Sequence, residues 1–341
     1  MKLITCFITG CFCISLLSHQ QSDETVVPQD NLPATDLAAP LPKGLTQNPQ
    51  VPADNLLTEQ KVALGRKLFF DPVLSENGTH SCASCHQPDH GFASPDPVAI
   101  GIHGRKGTRN APSLLNKAYA PVLFWDGRVD SLEEQVVHPL SNPNELSGDI
   151  EIILKKLRSH EGYVSLFEQA FDTNGARESI TAKSIGQAIA SFERTLLLGE
   201  TQVDRFRDAD YKSLNRKARQ GVWIFESRGK CWKCHNGDTF SDHEFHNTGV
   251  GFERENRDLG RFEHTQKEED KFKFRTPTLR GVQHSAPYMH DGSIGTLRGV
   301  VEFYNQGGAP DDEGLSEKIE PLNLSEADID NLVEFLKALS N

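Results

Sequence analysis

The sequence predicts a mainly α-helical protein built as two similar halves, with long loops and few short strands. Three observations lead there. Apolar residues recur at helical spacing in most candidate elements. The string Cys82-Ala83-Ser84-Cys85-His86 is repeated about half a chain later as Cys231-Trp232-Lys233-Cys234-His235. A helical apolar run precedes each string, Val62–Phe70 and Arg216–Phe225, in the same order, which suggests a duplicated unit. At 341 residues the chain is long enough for two core-forming domains.

The chemistry of the repeated string follows from its spacing. Two thiols three residues apart can add to the two vinyl groups of a haem while the adjacent imidazole reaches the iron, so Cys-x-x-Cys-His reads as a covalent haem c attachment. Zinc or a redox dithiol would use the same Cys pair. Against both, each copy ends in His and neither is followed by a second Cys pair. The expected cofactors are two haem c groups, on Cys82, Cys85 and His86 and on Cys231, Cys234 and His235, each in a small domain of the class I cytochrome c kind.

Composition agrees. Hydrophobic residues make up only 37% and the mean hydropathy is -0.49, but a haem adds apolar surface to a core. The formal net charge of -12, from 48 acidic and 36 basic residues, repels phosphate backbones. Nucleic acid is therefore not an expected partner, whereas a positively charged redox protein is compatible. Lys2 and the apolar run 3–17 read as an export leader over residues 1–21, and export fits covalent haem. The sequence Ile8-Thr9-Gly10-Cys11 also allows a lipid anchor at Cys11. Either way the expected location is periplasmic, and a dimer is compatible with the sequence.

Residues 22–53, with six prolines, read as a tether or wrapping arm. Residues 54–205 are expected to form the first haem domain. Thr58 caps a helix through Phe70 that Asp71-Pro72 stops, and a Gly-rich loop follows the first string. Ser131 caps a helix that Pro139 and Pro143 should break into a loop ending at Glu145. The runs 150–171 and 184–198 are helical. The second haem domain is expected over residues 206–341, with 236–270 a mobile or loosely structured insertion and helices 296–303 and 325–339. His243, His246 and His264 in that insertion are too far apart in sequence to suggest a metal site.

Four further segments, with the two haem strings, carry a resemblance. Gly65-Arg66-Lys67-Leu68-Phe69-Phe70, Arg109-Asn110-Ala111-Pro112-Ser113, Phe124-Trp125-Asp126-Gly127-Arg128, the stretch 276–292 and the two haem strings occur in an order that resembles the bacterial diheme cytochrome c peroxidase superfamily over residues 56–339. Tyr304, fourteen residues after His290, resembles the methylamine-utilisation branch, where other members have Met.

The resemblance implies a peroxidase-type oxidoreductase. Hydrogen peroxide would react at the first haem, with Glu145 moving the proton and Gln135 and Pro139 lining the distal pocket. Trp125 would lie between the haems, and Tyr304 would be the second iron ligand opposite His235. A phenolate there stabilises ferric and higher iron and lowers the potential. Met289 is the competing ligand. His103, one residue from the spacing of a mobile haem-ligating His in the family, would either close the first site or cap its loop. One calcium ion would sit at Asn110, Ser285 and Pro287. The implied partner is a protein, either a substrate oxidised by the two haems together or a small redox protein feeding ordinary peroxide reduction. A non-enzymatic diheme electron carrier is the third alternative.

Overall fold

The computed structural model describes residues 37, 39–173, 175–309, 312 and 314–341. The expected leader with Cys11, and half of the arm, lie outside them. Twelve helices are described: α1 (Glu59–Phe70), α2 (Cys82–Cys85), α3 (Leu132–Ser141), α4 (Ile150–Ser159), α5 (Glu161–Phe171), α6 (Ala176–Ser179), α7 (Ala182–Glu193), α8 (Gln202–Arg207), α9 (Arg216–Glu226), α10 (Phe262–Thr265), α11 (Leu297–Asn305) and α12 (Glu326–Lys337). The strands among the described residues are β1 (Phe245–His246) and β2 (Phe274–Arg275), paired antiparallel with Phe245 opposite Arg275. The fold is mainly α with few short strands, as the periodicity indicates.

Two helix pairs organise the molecule, and they repeat each other. Helix α1 crosses α7 at Gly65, where a Cβ would stand 1.9 Å from the Ala188 carbonyl oxygen; α9 crosses α12 at Gly221, where a Cβ would stand 2.1 Å from that of Asn331. Only glycine permits so close an approach. Four residues on, one turn further along the same face, Phe69 meets Phe192 with centroids 5.2 Å apart and Phe225 meets Phe335 at 4.8 Å. A third ring completes each cluster, Phe92 against Phe69 and Phe240 against Phe225. Side-chain caps at Thr58, Thr181, Asn215 and Ser325 start the four helices.

The larger apolar core runs from Leu64 to Leu196 and the second from Val203 to Leu339. The division expected between 205 and 206 therefore falls too late: it cuts α8, whose Val203 is fully buried in the second core. The run 150–171 is mostly helical as expected, in two helices that meet at His160. Two other expectations change. Helix α3 continues through Pro139 to Ser141, because a proline in the last turn forfeits only its own N–H bond, here the one to Gln135. Residues 236–270 are ordered, because their charges find partners inside the protein: Asp258 binds Arg109 at 2.6 Å, and the Arg261 guanidinium lies 3.8 Å over the Phe245 ring.

The arm wraps rather than tethers. The Thr46 amide and hydroxyl donate to Asp238, and the Gly44 and Gln50 carbonyls accept from Arg280 and Arg194. Arg280 and Asp204 form a bidentate pair at 2.7 and 3.0 Å, almost fully buried. The guanidinium holds the Asp204 carboxyl below its ordinary 3.8. Removing one partner of a buried pair leaves the other uncompensated, so Asp204→Asn should lose about 3 kcal/mol of stability. A carboxyl depressed in the folded state stabilises fully above its unfolded value. The wild-type advantage over Asp204→Asn in chemical denaturation should therefore persist at neutral pH and shrink as pH falls below 3.8.

Candidate active site: two haem-binding cavities

Each Cys-x-x-Cys-His string lines its own cavity. The smaller holds about 610 Å³ of empty space and is lined by Cys82, Cys85 and His86 together with Gln135, Pro139 and Glu145. The larger holds about 1520 Å³, part of it open to solvent, and is lined by Cys231, Cys234 and His235 together with Tyr304, Met289 and Trp125.

The two histidines are held alike. His86 Nδ1 lies 3.0 Å from the Phe92 carbonyl and His235 Nδ1 2.9 Å from that of Phe240. A carbonyl only accepts, so Nδ1 carries the proton and Nε2 keeps its lone pair. Burial favours the uncharged ring, pushing His86 down to about 4 and lowering His235 as well. The Phe92 and Phe240 backbones bend to present these carbonyls, with φ of 56° and 53°. All four thiols are unpaired, and burial raises every one of them. Neutral imidazoles with a free Nε2, thiols in pairs and apolar walls fit a covalently attached haem in each cavity. A tetrahedral metal site would need further ligands in each set.

Glu145 stands where the chain is tightly constrained. Its backbone carbonyl accepts from Ile102, and a Cβ on Gly101 would come 2.2 Å from the Asn144 carbonyl oxygen and 2.5 Å from that of Glu145. Asn142 Nδ2 donates to Glu145 Oε1 at 2.6 Å. Burial raises the carboxyl above its ordinary 4.5, against the pull of Asn142 and Arg128. Such a group exchanges a proton more readily near neutrality than an exposed glutamate. The adjacent wall is α3, where Pro139 withholds the N–H that would have bonded the Gln135 carbonyl.

Residues 110–112 separate the cavities: Asn110 and Pro112 line the larger, Ala111 the smaller. Trp125 is fixed to this partition. Its indole donates to the Asn110 carbonyl at 2.9 Å, and its own carbonyl accepts from the Arg275 amide at 2.8 Å. Asn110, Ser285 and Pro287 all line the larger cavity, where an amide oxygen and two carbonyls are hard donors. Tyr304 lies close enough to both thiols for them to oppose its ionisation, and burial pushes its phenol far up against a Thr248 hydrogen bond.

His103 is the one expected site residue that the structure does not bring to a cavity. Its backbone is left-handed, with φ of 58°, and its half-exposed ring turns outward, 3.9 Å from Glu76. The smaller cavity takes His80 instead. Of the insertion histidines, His246 lies with Asp242 and Cys234, donor atoms within 4.8 Å of one another, but the Cys234 thiol belongs to the second haem string.

Three buried charged lining residues escaped the sequence reading: Glu193 in the smaller cavity, and Lys117 and Arg275 in the larger. Glu193 ends the apolar run of α7 and Lys117 interrupts the segment 114–120, but Arg275 stands close to Lys271 and Lys273 and carries no such signal.

Comparison with known proteins agrees with this geometry. Residues 59–212 match the family model described as di-haem cytochrome c peroxidase. The chain is 37% identical over 290 residues to the methylamine utilization protein MauG of Methylorubrum extorquens, covering 84% of this chain and 80% of that protein. It is 35% identical over 322 residues to the cytochrome-c peroxidase IdrP1 of Denitromonas iodatirespirans, covering 85% and 84%. The chain belongs to the di-haem cytochrome c peroxidase family. A crystal structure of a MauG-like protein associated with microbial copper homeostasis superposes with a TM-score of 0.82 at 31% identity, over 88% of this chain and 95% of that one. The protein is therefore a diheme peroxidase-type oxidoreductase with two c-type haems.

Gly101→Ala should displace the backbone that carries Glu145 while leaving both Cys pairs in place. Peroxide consumption should fall at least tenfold in protein that still carries two haems by intact mass.

Proposed function

We propose that this chain is an exported, periplasmic enzyme in which hydrogen peroxide reacts in the smaller cavity and the oxidising equivalents are shared with the larger one, to oxidise a partner protein. The two halves would each be a haem domain, the first peroxidatic and the second devoted to electron transfer. What carries the reading is the unlikeness of the two cavities. The smaller has Glu145 and Gln135 beside His86 and neither Tyr nor Met among its described lining residues, whereas the larger has both Tyr304 and Met289.

The haem, when bound, supplies an iron able to take up peroxide and to hold oxidising equivalents. The chain's own residues do the rest. In this reading Glu145 receives the proton of the inner peroxide oxygen and returns it to the outer one, so that water leaves. Gln135 and Pro139 shape the wall against which peroxide sits, and Asn142 holds the carboxyl to one orientation. Trp125, anchored at both ends of its residue, offers a polarizable path along the partition. Tyr304 and His235 would both ligate the second haem's iron, and Asn110, Ser285 and Pro287 would hold a calcium ion that ties the two halves together.

Met289 supports a second reading. A thioether on the second iron would favour the reduced form and with it ordinary peroxide reduction by a small redox protein.

Electron paramagnetic resonance of the oxidised protein separates the readings. One high-spin and one low-spin ferric signal are expected, both diminished by one equivalent of peroxide. Two low-spin signals indifferent to peroxide would overturn the proposal. Tyr304→Met should raise the second haem's potential, and an unchanged spectrum would remove Tyr304 from coordination. Glu145→Gln should slow the reaction with peroxide about 10²-fold or more with haem content unchanged, measured by stopped-flow absorbance.

A further inference from the structure

The larger cavity is apolar over most of its wall, yet two buried cations line it. Lys117 is 7% exposed and Arg275 4%. Neither has a carboxylate partner among the described residues. Arg275 donates from Nη1 to the Thr276 carbonyl at 3.1 Å, a bond within its own turn, and its Nε is buried without an acceptor. The Lys117 ammonium has no hydrogen bond or ion pair among the described residues, and the acidic group whose charge it feels is Glu193, in the other cavity. The two cations also repel one another: Arg275 and burial together push Lys117 well below its ordinary value, and both depress the ring of His243.

Every other strongly buried arginine near the site is paired. Arg194 meets Glu133, Arg280 meets Asp204, Arg257 meets Asp312 and Arg109 meets Asp126 and Asp258. An unpaired buried charge costs several kcal/mol. A protein that pairs four guanidiniums and leaves a fifth facing a cavity beside an unpaired ammonium has left positive potential for what fills that cavity.

We propose that Lys117 and Arg275 form a carboxylate receptor, and that they hold the two propionates of the haem attached at Cys231 and Cys234. This rests on the assignment of the larger cavity to that haem. The charges balance, two cations against two carboxylates, and the planar guanidinium suits a carboxylate while the ammonium acts as a point charge. The same residues brace the partition, since the Arg275 amide holds the Trp125 carbonyl and Lys117 follows the segment that forms the wall.

The test uses the holoprotein. Haem stoichiometry by intact mass comes first: a wild-type chain without haem on Cys231 and Cys234 would overturn the cavity assignment itself, separately from the receptor. With both haems attached, a redox titration followed by electron paramagnetic resonance should show Arg275→Gln favouring oxidation of the second haem about tenfold at fixed potential, or about 59 mV for one electron. Lys117→Gln should shift the second haem in the same direction. Lys117→Arg and Arg275→Lys should restore most of each shift, which a merely structural role for these side chains would not do. Resonance Raman supplies a second readout, because the propionate bending bands report hydrogen bonding to the carboxylates. Those bands should move in the Gln variants. Unchanged potentials and bands in variants with two haems would overturn the receptor. Should one Gln variant fail to accumulate, the other decides it: a moved band with a shifted potential shows contact, and identical bands and potential overturn it.

Discussion

One hydrogen bond, made twice, sets up both sites. A buried imidazole adjacent to a Cys pair could present either nitrogen, and the carbonyls of Phe92 and Phe240 remove that freedom by accepting from Nδ1. Each carbonyl is placed by a residue in left-handed conformation whose ring is locked in an aromatic cluster with the helix preceding the string. The cluster in turn exists because two helices meet at a glycine, Gly65 in one half and Gly221 in the other. The direction of a nitrogen lone pair therefore depends on a missing Cβ well away from it. This is how a local string becomes a site of fixed geometry.

The same support with different surroundings yields two unlike cavities. Around His86 the chain brings a carboxyl raised by burial, a proline that exposes a carbonyl, and a glycine that presses the loop inward. Around His235 it brings a phenol, a thioether and two cations. Duplication supplies the shared frame, and loops and charged substitutions supply the differences, in keeping with the general rule that loops on a rigid scaffold carry chemistry. Between them, residues 110–112 serve both cavities, Asn110 and Pro112 lining one and Ala111 the other.

What was legible in the sequence follows from range. The haem strings, the capped helices and the mainly α class rest on short spacings, and all are present in the structure. Glu145 and Tyr304 could be singled out only through resemblance, because an isolated Glu on a Pro-bounded loop and a Tyr on an amphipathic helix have no distinctive local pattern. His103 shows the limit: its spacing was nearly right, but a left-handed backbone turned the ring outward to Glu76. The insertion 236–270 read as loose because its composition is polar, yet its charges are consumed by distant partners such as Arg109, which no linear window reveals. Helix α3 outran Pro139 because a helix's last turn tolerates what its middle does not.

Lys117, Arg275 and Glu193 show a different limit. A charged side chain reads as part of an exposed face unless the fold is known. Once the fold is known the argument reverses. A folded chain rarely retains a buried cation without compensation, and for Arg280, Arg194 and Arg109 that compensation lies within the protein. For Arg275 and Lys117 it does not, among the described residues. The polypeptide is then electrostatically incomplete at that wall, and its charge ledger closes only with an anionic group in the cavity. A covalent haem meets the requirement twice over, since the thioether bonds fix its position and its two carboxylates supply the missing charge. The cavity's shape and its potential call for the same occupant, and they do so through different residues.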